Sequence, residues 1–297
     1  MEKIGSQPIW SYFDEAKKAR AVSNRRICTG EGHTVRSYFE LAMKVAELQF
    51  LNRDHVMLFR GQAEDHRSAK NGSLLNPTLF RADGAEPLHS ATLRARFERL
   101  RSAESQLVRL YRYAKFRGAD RLARHRSIRW AILQHYGVCR TPLLDVTQSL
   151  RISATFAAER NRVGNAYLYV LGVPNRSGAV TASAESGLEI ICLSSACPPE
   201  AVRPHMQEGF LLGEYPEVVE YDSDARSSYT TMDFSRRLVA KFRLKLDRFW
   251  TSASFPPASA EAIYPKKFRD PLLLITDRIR RDLGPERGAG ASPTPSN

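Results

Sequence analysis

Apolar residues along the chain recur at two spacings, and the alternation between them predicts the elements. From Thr34, "VRSYFELAMKVAELQF" sets Val35, Phe39, Leu41, Ala42, Val45 and Leu48 at helical intervals, with Thr34 as the expected N-cap. A polar turn, "LNRD", leads into "HVMLF", which reads as a buried strand ending in Arg60, Gly61 and Gln62. The glycine-, asparagine- and proline-bearing stretch "GQAEDHRSAKNGSLLNPTLFR" reads as a loop with turns. Segments 91–117 and 121–136 carry long helical patterns, the second closed by Gly137. "TPLLDV" then reads as a short strand and "TQSLRISATFAAER" as a helix capped by Thr147 or Ser149. "NAYLYVLGV" and "GLEIICL" read as strands, "VVEYD", "LVAKFRLK" and "EAIYP" as further β-like pieces, and "PLLLITDRIRRDL" as a closing helix. Strands and helices mix without a regular strand–helix–strand alternation, which predicts an α+β fold. From Gly284 onward, "GPERGAGASPTPSN" is too polar and turn-rich to order itself.

Composition changes this picture in one respect. At 297 residues, with 42% hydrophobic and 26% charged positions, the chain can bury a substantial core. Its formal net charge of +13 points to an acidic partner: nucleic acid, a nucleotide or an anionic protein. The excess is concentrated between Arg94 and Arg129, where eleven arginines and one lysine face Glu98, Glu104 and Asp120. Such a run is either a solvated helix face or a polyanion contact, for which arginine's forked donors are suited. The spacings of Cys28, Cys139, Cys192 and Cys197 match no zinc pattern, so reduced thiols are expected. The N-terminus has acidic residues and no apolar core of a signal peptide, and no run reaches the roughly 18 apolar residues of a spanning helix. A soluble cytoplasmic protein with no membrane partner is expected.

Three motifs carry the chemistry. The first is "LFRGQ" with "LNPTLFR" after it; the second is "LQHYGVCRTPLLDVTQSLRISATFAAE". Together they closely resemble the FRG domain, a family named for the Phe-Arg-Gly motif that stands here as Phe59, Arg60 and Gly61. A weaker element, R-x-x-x-Q-x-G, is met at Arg203, Gln207 and Gly209, with Leu211 in place of the usual aromatic. The resemblance covers about residues 34–212; Val146 stands where the family often has Trp, and the "VCRTP" turn is one residue longer than the family's usual turn. It implies a domain over 34–283, preceded by an extension over 1–33 and followed by a disordered tail over 284–297. The motif order is in turn similar to that of the ADP-ribosyltransferase superfamily. That implies a mixed, mainly antiparallel core sheet with an inserted basic helical segment and flanking helices. It also implies NAD as substrate, a protein or nucleic-acid acceptor, and a role in bacterial antiphage defence or toxicity with a neutralising partner protein.

Each residue has a structural reading beside the functional one. Arg60, at the mouth of a buried strand, either grips a pyrophosphate or ribose or forms a buried ion pair with Asp145. Gly61 allows close backbone approach. His135 points inward from its helix, as a core hydrogen-bonding group or an acid–base group. Asp145, Thr147 and Ser149 form a strand-to-helix turn that caps a helix or receives an anion, with Arg140 and Arg151 beside it. Gln207, Glu208 and, further on, Glu261 compete for the late residue that would face an oxocarbenium-like centre. The set implied for catalysis is therefore Arg60, His135, Gln207 and Glu208. For the cofactor it is Arg60, Gly61, Gln62, Tyr136, Asp145, Thr147 and Ser149. The competing reading is a non-catalytic nucleic-acid-binding module that uses segment 94–129.

Overall fold

The strand foreseen at "HVMLF" runs on through Arg60 and Gly61 and becomes the hinge line of a large mixed sheet. The computed structural model describes residues 4, 9–84, 88–159, 163–216, 232–251 and 255–286. In chain order, β1 (Ile9–Ser11) and β2 (Arg20–Val22) form a hairpin, followed by α1 (Asn24–Thr29), β3 (His33–Val35), α2 (Tyr38–Leu51) and β4 (Val56–Gln62). The helical insert is α3 (Ser90–Tyr113), α4 (Ala119–Arg124) and α5 (Arg126–His135). Then come β5 (Leu144–Thr147), α6 (Leu150–Ala158), β6 (Asn165–Val173), β7 (Val180–Ser183), β8 (Leu188–Cys192), α7 (Leu193–Ala196), α8 (Val202–Met206) and β9 (Gly209–Glu214). The described chain closes with β10 (Leu238–Lys245), α9 (Leu246–Phe249), α10 (Ala260–Ile263) and α11 (Pro271–Leu283).

Eight strands lie in the order β3-β10-β6-β4-β5-β9-β8-β7. β3 runs parallel to β10, and the other neighbours are antiparallel. β6 is central and buried on both faces, which is why "NAYLYVLGV" is apolar almost throughout. The sheet is not uniform. β4 pairs with β6 over seven residues but with β5 through a single pair, Phe59 and Thr147. Two half-sheets therefore meet at a one-residue seam and diverge on either side of it.

Two apolar cores flank the second half-sheet, and strand periodicity sorts residues between them. Leu188, Ile190, Phe210 and Leu212 face the core that also holds β6, β10 and α2. Ile191 and Leu211 face the opposite core, built from α3, α5 and α11 with Leu100, Leu107, Trp130, Ile132 and Ile279. Residues 9–35 belong to the first core through Ile9, Tyr12, Val22, Ile27 and Val35.

Several predicted elements shift. Thr34 is in strand β3, and Ser37 caps α2 by accepting from the Glu40 amide at 3.1 Å. A pairing with β10, more than two hundred residues away in sequence, draws Thr34 into the sheet. Segment 121–136 breaks into α4 and α5 at His125. "EAIYP" is not β-like: Ser259 caps the short helix α10. "VVEYD" and the tail beyond Glu286 lie outside the described residues. Among the described residues no helix is long and apolar enough to cross a membrane.

Candidate functional site

Where the half-sheets diverge, a cleft of about 650 Å³ opens, a size typical of small-molecule sites. Its floor is the end of β4, the walls are the end of α5 and strand β5, and the rim carries Glu64, Arg81, Glu159, Arg203 and Tyr264.

Arg60 enters from β4. Its Nη1 donates to the backbone oxygen of Asp145 at 2.6 Å, while its Nε is buried without a partner among the described residues. The arginine thus reaches the backbone of Asp145, not its carboxylate. That carboxylate accepts instead from Gln134 Nε2 at 2.7 Å. Burial lowers the pKa of Arg60, opposed by the nearby Asp145 charge; burial raises that of Asp145, opposed by Gln134 and Arg60. The buried ion pair weighed from sequence is therefore replaced by a looser arrangement that leaves donors unspent.

Two further guanidinium groups converge on the cleft. Arg81 donates through Nε to the Asn76 carbonyl at 2.9 Å; burial, and then the Arg60 charge, push it down to about 10. Arg203 lies between two rings, with its guanidinium carbon 5.6 Å from the Tyr136 centroid and 5.2 Å from that of Tyr264. Its Nε is also buried without a partner among the described residues, and burial lowers its pKa. Arg280 reaches the cleft but is spent on Asp277 and on the carbonyls of Tyr136 and Gly137.

His135 is 7% exposed, with Nε2 unpartnered among the described residues. Burial, and next the Arg203 charge, hold its pKa well below the ordinary histidine value, so it is neutral at neutral pH. A Cβ on Gly209 would stand 3.2 Å from the His135 ring, so the glycine of the third motif makes room for the imidazole. Gln62 also lines the cleft, and its Oε1 is buried without a partner among the described residues.

Other residues singled out from sequence are held by the scaffold, and four of them, Gly61, Tyr136, Thr147 and Gln207, also line the cleft. Gly61 is needed for helix packing: a Cβ there would sit 1.9 Å from the Ser153 oxygen and 2.7 Å from the Ala157 nitrogen of α6. The Tyr136 hydroxyl donates to the fully buried Asp270, which also caps α11 and accepts from the Arg203 amide. The Thr147 hydroxyl donates to the Gln207 carbonyl at 2.8 Å and accepts from the Ser149 amide, while Ser149 caps α6. Gln207 donates to the Ile263 carbonyl at 2.7 Å. Glu208 does not line the cleft. It is exposed, with φ of 45°, and accepts from Gln148 at 3.2 Å. Glu261 is exposed on α10, also away from the cleft.

The carboxylates that do face the cleft with Asp145 are Glu64 and Glu159, and Glu159 accepts from the Tyr264 hydroxyl at 3.2 Å. Glu64 is placed by its neighbour. Asp65 accepts from Lys241 Nζ at 2.9 Å, Ser73 at 2.6 Å and Tyr169 at 2.9 Å, which ties the loop after β4 to β10 and β6. Arg81, Glu159 and Arg203 all stand within the motifs noted above, at the ends of "LNPTLFR" and "SATFAAE" and at the start of R-x-x-x-Q-x-G. The arrangement offers three cations, two of them with a buried Nε unpartnered among the described residues, a neutral imidazole and two rim carboxylates, which suits an anionic ligand with a reactive centre near the rim.

The family model of the FRG domain matches residues 55–166, which run from the start of β4 into β6 and contain the first two motifs. Arg203, Gln207 and Tyr264 lie beyond that span. No curated protein and no solved structure matches the chain.

Proposed function

We propose that this FRG-domain chain binds a phosphate-bearing nucleotide in the seam cleft, with NAD as substrate, and transfers its ADP-ribosyl group to a protein or nucleic-acid acceptor. One observation carries the reading: Arg60, Arg81 and Arg203 line one cleft, and the Nε of Arg60 and of Arg203 is buried without a partner among the described residues. Three partly desolvated guanidinium groups raise the local potential, and a pyrophosphate would satisfy them bidentately. The resemblance supports a setting of bacterial antiphage defence or toxicity, with a neutralising partner protein.

The chemistry balances with the residues at hand. The bond between ribose C1′ and the nicotinamide nitrogen breaks, and its electron pair leaves with nicotinamide. The oxocarbenium-like charge left at C1′ is stabilised by a carboxylate; of the two rim carboxylates, Glu159 is the one steadied by Tyr264 and is assigned this part. The acceptor's nucleophile then bonds to C1′ and loses its proton to solvent or to a basic group.

The test uses the full chain. Thermal melts and calorimetry with NAD, ADP-ribose and ADP should show binding that weakens in Arg81→Gln and Arg203→Gln. Glu159→Gln should retain ligand and lose nicotinamide release, and Glu208→Gln should keep both. Absence of any melting shift at millimolar ADP-ribose would overturn the reading.

A further inference from the structure

Of the twelve basic residues between Arg94 and Arg129, five turn inward. Arg96 binds Asp83 and two carbonyls, Arg99 the carbonyls of Leu283 and Gly284, and Arg121 that of Ala196. Arg126 and Arg129 flank the buried Glu104 at 3.1 and 3.0 Å. The remaining seven are exposed, and four of them gather at the C-terminal end of α3. Arg109 and Arg112 stand three apart on one helix face, and Lys115 and Arg117 follow in the turn that leads to α4.

Tyr113 lies among these four cations. It is four residues from Arg109 and 85% exposed. The same turn places its other aromatics well: Tyr111 and Phe116 pack edge to face at 5.0 Å, and the Tyr111 hydroxyl donates to the Arg117 carbonyl. Tyr113 is the ring left in water. The one acid between Arg109 and Arg124 is Asp120, 90% exposed and 4.0 Å from an Arg112 nitrogen that is itself on an exposed side chain. Such a pair is screened and leaves the cationic excess in place.

We infer that this end of α3 binds single-stranded nucleic acid, with Tyr113 as the platform on which a base stacks and Arg109, Arg112, Lys115 and Arg117 on the phosphates. An aromatic ring set among cations is the recognition pattern for unpaired bases, because every base offers a π-face. A duplex keeps its bases stacked internally and would use the cations alone. A lipid surface calls for an apolar helix face. The α3 surface beside Tyr113 is polar, with Arg109, Gln106, Ser105 and Ser102, and its one apolar neighbour there, Leu110, is buried.

This inference is independent of the cleft. The test is fluorescence anisotropy of the full chain with labelled oligo-dT and oligo-rU of about 20 nucleotides, a duplex of equal length, and phosphatidylserine vesicles. Four phosphate contacts predict a slope of log K against log salt near −3, or roughly 50-fold weaker binding between about 50 and 200 mM salt. Tyr113→Ala should weaken binding about fivefold or more with the slope unchanged. Arg112→Gln and Lys115→Gln should each reduce the slope by about 0.7. These side chains are exposed, so unchanged melting temperatures are expected, and the melting shift caused by ADP-ribose should be the same in every variant. Wild-type affinity in Tyr113→Ala, salt-independent binding, or tighter binding of the duplex or the vesicles would overturn the inference.

Discussion

Replacing Arg60 with methionine separates a grip on a ligand from a staple in the scaffold. The change keeps an unbranched chain in the same slot and removes every donor. The folded state then loses one charge-assisted hydrogen bond, from Nη1 to the Asp145 carbonyl at 2.6 Å, worth about 1.5–3 kcal/mol. It is also relieved of a buried, unpartnered Nε, whose desolvation costs on the order of 1–3 kcal/mol. The two largely cancel, so the expected stability change is within about 2 kcal/mol, a melting shift below about 8 °C. Ligand binding should respond far more. A desolvated charge facing a phosphate is worth about 2–5 kcal/mol on truncation, or 30-fold or more in Kd for ADP-ribose. Melting curves and calorimetry on the same preparations read both quantities. A loss of stability above about 4 kcal/mol with ADP-ribose affinity unchanged would refute the reasoning and make Arg60 a structural tie.

Gly61→Ala should act in the opposite way. The added methyl would overlap the Ser153 carbonyl of α6, so α6 must move, and urea titration should show about 3 kcal/mol or more of destabilisation; a change below about 1 kcal/mol would mean that α6 adjusts freely. Stability should also fall in acid. His135 has a folded-state pKa depressed well below 6.5, as to lesser degrees do His33 and His55. The unfolded chain takes up these protons first, so the contribution is complete above about pH 6.5 and is lost as pH drops below it. His135→Gln should flatten the pH dependence of urea midpoints between about 6.5 and 5 by as much as about 1.4 kcal/mol per pH unit. Asp145, raised by burial, acts with the reverse sign: it favours the folded state at low pH and loses that effect as pH climbs through its folded value, which lies above 3.8.

How far the sequence could be read depended on the range of the interaction. Local signals held: Ser149 caps α6, the closing helix α11 begins at Pro271, and apolar runs mark β6 and β10. Long-range partners were illegible. Nothing in the sequence places Gly61 beneath α6, pairs Thr34 with β10, or points Arg60 at a carbonyl instead of a carboxylate. Which acid faces the cleft was illegible for the same reason. Glu208 follows the motif glutamine, but a left-handed backbone turns it to solvent, while Glu159, closing the second motif, reaches the cleft. The basic segment was legible as charge; its division into inward and outward arginines depended on tertiary neighbours such as Glu104.

The single rung between Phe59 and Thr147 has a mechanical consequence. A guest seated in the gap touches strands from both halves and becomes a cross-brace where the backbone supplies almost none. Its occupancy would therefore be felt far from the guest itself, as slower amide exchange in β5 and β9 on one side and in β4 on the other.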